Sequence, residues 1–250
     1  MQFIYRLSFG LAAAMAVTSP RLVTSGYFRN HLYVTLGMNV LAAMVAISAP
    51  AQFSLWPAVA AALLSYIGSA AWLYESPRLG RLCLVLVAGV TLYGAWSSPW
   101  KTEAEAAATS LTKALAALDV PTGGLALGVT IAAMFLGHWY LNTPTMQLQP
   151  LQRLVWLMSL AIAARGVVCL AGLAWTWQTV GPPDATQWSF LAMRWLSGLV
   201  GALVLARMTW QTLRIPNTQS ATGILYVAVI GTFLGELTSL LLSRGSPVAL

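Results

Sequence analysis

Ionisable and strongly polar side chains interrupt otherwise apolar runs at a few positions of this sequence: Asn39, His138, Arg165, Arg194, Arg207 and Glu236, with His31 just inside the run that holds Asn39. In hydrocarbon a central charge costs about 2.5–3.5 kcal/mol, so each such group implies a partner, a ligand or an ion route. Histidine exchanges protons near neutral pH and ligates metals, and this chain has 2. One lies second in GHWYLNTP, residues 137–144, at the foot of a long apolar stretch.

Three kinds of chemistry suit these residues. Two neutral imidazoles from different helices ligate a b-type haem. His31 and His138 would be the iron ligands, Gly137 would open the slot for the ring, and Arg29, Arg207 or Arg214 would hold propionates. A quinone head needs hydrogen-bonding groups and a proton exchanger, which His138, Tyr140, Asn142 and Arg207 supply. Arg194 and Glu236 are placed to form a charged pair, whereas Arg165 has no acidic residue expected at its own depth. With Arg165 that pair would make a charged path for a solute.

These residues must be positioned by helices. The chain has 250 residues, 58% hydrophobic and 8% charged, against roughly 25% charged in a soluble domain. Eight apolar segments are predicted: 3–19, 30–49, 55–74, 79–97, 125–142, 151–178, 188–211 and 221–242. Each approaches the ~20 residues that cross hydrocarbon as a helix. The expected fold is an all-α, polytopic integral membrane bundle of about eight helices, one transmembrane domain over residues 1–250. Trp56, Trp72, Trp96, Trp100, Trp156, Trp175, Trp177, Trp188 and Trp210 fall at segment ends, as in an aromatic belt. Small-residue strips, Gly124/Gly128/Ala133/Gly137 and Gly231/Gly235, permit close approach of another backbone or of a flat cofactor.

Residues 98–123 read as an extramembrane loop with a short surface helix, carrying Glu103, Glu105, Lys113 and Asp119, an apolar face through Leu111, Leu115 and Leu118, and a stop at Pro121. Ser220 or Thr218 is expected to cap the last segment. The first segment, with Arg6 ahead of an Ala-Met-Ala triplet, resembles a signal peptide but is read as a retained helix. Eight crossings put Arg21, Arg29, Arg78, Arg81, Arg153 and Arg214 on one side, with Arg6, Lys101, Lys113 and Arg244 on the other. The positive-inside bias then makes the first side cytoplasmic and both termini external, in a membrane read as the bacterial inner membrane.

The net charge of +7 is dispersed over short connections, with no basic block for nucleic acid. Cys83 and Cys169 lie within apolar runs, and there is no CxxCH, iron–sulfur cysteine run or dinucleotide fingerprint. The residues thus point to a membrane subunit of a larger assembly, contacting lipid and other membrane subunits, either non-catalytic or electron-transfer-associated, in which a quinone or a single b-type haem would sit near the cytoplasmic surface. Met134, Met158 and Met193 suggest contact surfaces. A small-solute or ion transporter and a purely structural scaffold are the alternatives.

Overall fold

In the computed structural model, which describes residues 1–98, 109–143, 145–215, 217–243 and 248, the described chain is helical with short connections. The helices are α1 (Gln2–Val17), α2 (Ser25–Ser48), α3 (Trp56–Leu73), α4 (Pro77–Ser97), α5 (Ser110–Asn142), α6 (Gln149–Thr179), α7 (Ala185–Met193), α8 (Ala202–Arg214) and α9 (Thr218–Leu242). A π-helical stretch, Arg194–Gly201, joins α7 to α8 as one rod, Ala185–Arg214. Eight rods result. Seven are long and apolar enough to cross a membrane, and α1, with 16 residues, is shorter. The protein is an all-α integral membrane bundle.

The rods begin and end within a few residues of the apolar segments, with one exception. Residues 110–123 do not form a separate surface helix. They are the first turns of α5, which at 33 residues is about 50 Å long. Pro121 was the reason to expect a stop, because it has no N–H for the carbonyl of Ala117 and crowds it. Trp96 of α4 removes that objection: its indole N–H donates to Ala117 O at 3.2 Å. Thr109 caps the helix by accepting from Thr112 N. Trp100, Lys101, Glu103, Glu105 and Arg244 lie outside the described residues.

α1 is an inner helix. It packs against α5, α4 and α2, and Tyr5, Arg6, Leu11 and Ala12 are buried on it. Glycine makes the α1–α5 crossing: a Cβ on Gly10 would lie 1.8 Å from Gly124 O, and one on Gly128 would lie 1.9 Å from Gly10 C. The two backbones touch, and no larger residue fits between them. Gly198 of the π stretch meets Gly235 of α9 in the same way, with a Cβ–Cα separation of 2.6 Å. The Gly231/Gly235 strip therefore seats a helix, as does Gly137, whose Cβ would meet Thr222 Oγ1 at 2.7 Å.

Smaller departures have local causes. Trp72 is no belt residue; it is 3% exposed and stacks on Phe28 with centroids 4.2 Å apart. α9 is capped by Asn217, whose Oδ1 accepts from Ser220 N at 2.9 Å, so Ser220 supplies the backbone donor and not the cap. Asp184 and Gln187 form a reciprocal capping box at the start of α7. Met134 and Met158 fill the core, leaving Met193 exposed.

Candidate functional site

Five charged side chains from five elements converge inside the bundle: Arg6 of α1, Asp119 of α5, Arg165 of α6, Arg194 of the π stretch and Glu236 of α9. Their side chains are 0–8% exposed. Helix direction explains the convergence. Arg6 and Asp119 lie near the starts of α1 and α5, Arg194 near the start of its rod, and Glu236 near the end of α9, and these ends share one face of the bundle. Arg165 reaches the same layer from mid-α6.

Arg165 is the hub. Its Nε donates to Glu236 Oε1 at 2.7 Å and its Nη2 to Glu236 Oε2 at 3.0 Å, a planar two-bond fork. Nη1 donates to Asp119 Oδ1 at 2.7 Å and to Asp119 O at 3.2 Å, and Nη2 also donates to Ser239 Oγ at 3.2 Å. Arg6 holds Asp119 from the other side, with Nη2 on Oδ2 and Nη1 on Oδ1 and on the backbone carbonyl. Each carboxylate is thus shared between guanidiniums. Such sharing is what makes burial tolerable, since removing one partner of a buried pair typically costs 3–5 kcal/mol.

Gly123 provides the floor. A Cβ there would lie 2.6 Å from Glu236 Oε2, 2.9 Å from Arg6 Nη1 and 3.4 Å from Arg165 Cζ. At the edge of the layer Arg194 Nη2 lies 2.7 Å from Cys169 Sγ and 3.9 Å from Glu236 Oε1. The π stretch has i→i+5 bonding, a geometry that recurs at functional sites, and it starts at this arginine.

The expected Arg194–Glu236 pair therefore exists as the outermost contact, while the principal partner of Glu236 is Arg165. The reading of Arg165 as lacking an acidic partner is corrected: it has two. Arg6 and Asp119, assigned to a leading charge and to an extramembrane loop, belong to the cluster. Their signal in the sequence was a lone acid and a lone base, each at helical spacing from small and apolar neighbours.

The histidine layer lies toward the opposite face and divides into separate environments. His31 is buried; its Nδ1 donates to Tyr27 O at 2.6 Å, and its ring stacks on Phe135 at 4.3 Å and tilts against Tyr27 at 4.5 Å. His138 is exposed and bonds through Nδ1 to Tyr226 OH at 3.2 Å. Tyr140 turns its hydroxyl to Gln147 O, closing the α5–α6 connection. Arg207 and Arg214 are exposed on α8, and Gly137 is occupied by α9. The two imidazoles share a level and do not face a common slot. Asn39 is fully buried and donates from Nδ2 to Thr35 O at 2.8 Å and to Ser8 Oγ at 3.3 Å, tying α2 to α1.

Among the described residues no group of three or more His, Cys, Asp or Glu has the arrangement of a metal site. Comparison with family models, curated proteins and solved structures finds no match to this chain, so the site's own geometry is what bears on its function.

Proposed function

We propose that the protein is a membrane carrier for a small solute or ion, with the Arg6–Asp119–Arg165–Glu236 cluster as its coupling site. One observation carries the reading: both carboxylates within the bundle are shared between arginines of different helices, so a change of charge at one oxygen alters contacts among α1, α5, α6 and α9 together. Ionisable groups inside transmembrane bundles mark solute paths and proton relays. Bistable ion-pair contacts between rigid elements convert a local charge change into a movement of helices.

A structural clamp is the second reading. It is favoured by the full pairing of the four carboxylate oxygens of Asp119 and Glu236. A redox-linked quinone or haem at the histidine level has less support, because His31, His138, Tyr140, Arg207 and Arg214 have separate surroundings.

The test is uptake of labelled solutes by proteoliposomes under a proton gradient, over panels of carboxylates, amino acids, amines and inorganic ions. Wild type should respond to a solute, and Asp119→Asn, which keeps the shape of the side chain, should abolish the response while remaining folded. A protein that moves no solute in the panel, and whose Asp119→Asn variant only melts earlier, is a clamp.

A further inference from the structure

Resting on the carrier reading, we infer that Glu236 occupies the seat of a small carboxylate anion, and that the solute class is a carboxylate taken up together with one proton. The seat is built by arginines. Arg165 presents Nε and Nη2 as a flat fork to the two Glu236 oxygens at 2.7 and 3.0 Å. This is the pairing by which arginine recognises a free carboxylate. Behind each oxygen stands a second guanidinium: Arg6 Nη1 is 3.7 Å from Oε2, and Arg194 Nη2 is 3.9 Å from Oε1. Each needs to move by about 1 Å to reach hydrogen-bonding distance. Glu236 is therefore at the focus of three cationic groups from three elements.

The two acids of the cluster differ in how firmly they are held. Asp119 has a short side chain, is gripped by Arg6 and Arg165, and also offers its backbone carbonyl to both. It anchors the guanidiniums whatever Glu236 does. Glu236 has one more methylene and reaches the cluster from α9 over Gly123, where the absence of a Cβ leaves room at Oε2. Exchange is then simple to balance. A proton adds to the Glu236 carboxylate, and the neutral acid gives up the two N–H···O bonds from Arg165. The incoming carboxylate accepts those same bonds, so the cluster keeps its net charge and one proton enters with each anion. The charged and titratable groups facing this position are Arg6 on α1, Asp119 on α5, Arg165 and Cys169 on α6, and Arg194 on the π stretch.

The experiment uses acetate and formate as probes, with chloride as the ionic control, on detergent-purified full-length protein. Glu236→Ala excises a fragment the size of acetate. Its thermal midpoint should rise with added acetate and formate and not with chloride, and by more than that of wild type at pH 7.5. Glu236→Gln serves if the alanine variant does not fold. Wild-type affinity for acetate should weaken about tenfold per pH unit as the pH is raised, the slope of one proton taken up with each anion. Glu236→Gln should bind acetate more tightly than wild type at pH 7.5 and with no such slope. The inference is overturned if the folded alanine variant gains nothing from either carboxylate, or if Glu236→Gln binds no better than wild type with the same pH slope. The carrier reading fails separately. Rescue by acetate, with proteoliposomes that carry no labelled lactate under a proton gradient, leaves an anion site without transport. Transport of a cation or neutral solute without rescue leaves a carrier whose substrate is not a carboxylate.

Discussion

Gly123→Ala is the sharpest test of how the cluster is built, because the substitution adds one methyl group and removes no interaction. Elsewhere in a helix the change is favourable by roughly 0.5–1 kcal/mol, since alanine loses less backbone entropy. At this position the new Cβ would lie 2.6 Å from Glu236 Oε2 and 2.9 Å from Arg6 Nη1. Restoring van der Waals separation requires shifts of about 0.5–1 Å. Both atoms are held, Oε2 by Arg165 Nη2 at 3.0 Å and Nη1 by the Asp119 carbonyl at 3.3 Å, so the shift bends or breaks a charge-assisted bond worth about 1.5–3 kcal/mol. Less the gain in helix propensity, the net cost is about 0.5–2.5 kcal/mol, or roughly 1–10 °C in Tm for a chain of this size. Thermal unfolding in mild detergent, followed by tryptophan fluorescence, measures it. Gly166→Ala is the control, one residue from Arg165 but with no atom within 4 Å of its added Cβ, and it should be neutral or stabilising. Equal midpoints for the two variants would refute the packing of the cluster over α5.

Two further outcomes are expected. Trp96→Phe removes the hydrogen bond to the exposed carbonyl of Ala117 and should cost about 0.5–1.5 kcal/mol; the same change in a Pro121→Ala background should cost less, because a backbone N–H then serves that carbonyl, and additive losses in the double-mutant cycle would contradict the assigned role. His31→Ala should destabilise by about 2–4 kcal/mol, since its ring is packed among Tyr27, Phe135 and Trp139, whereas His138→Ala, losing one exposed contact to Tyr226, should shift stability by under about 0.5 kcal/mol; a sharp visible absorption band lost in both variants would instead place a shared haem between them.

The helices were legible because the apolar runs, all but that of α1 long, are bounded by proline, glycine or tryptophan. The depth of a residue was legible too, since it follows from counting along a helix: His31 with His138, and Arg194 with Glu236, do share levels. Azimuth was not. Whether Arg165 turns toward Glu236, or His138 toward α9, depends on how each rod is rotated by contacts such as Gly198 with Gly235, and those contacts join residues far apart in the chain. Asp119 was misplaced for a related reason. A proline two residues on and an alanine-rich, charged flank have the local signature of a surface helix, and the groups that reverse it, Trp96 and Arg6, are 21 residues from Ala117 and 113 from Asp119. Local pattern has no access to such partners.

The wide separation of Arg6 from its acids bears on biosynthesis. Arg6 leaves the ribosome 113 residues before Asp119, which at about 5–20 residues per second is roughly 6–23 s, and Glu236 follows later still. Throughout that interval the arginine has neither counter-charge, and the glycine face of α1 has no α5 to receive Gly10. Lipid alone is a poor host for such a helix, which is short and carries a guanidinium with a long reach to the headgroups. α1 should therefore wait at the interface or beside the insertion machinery and enter the bundle after α5, so that a helix made before α5 settles after it. Chains arrested before residue 119 should show Arg6 accessible to water-soluble reagents, and chains arrested well beyond it should not.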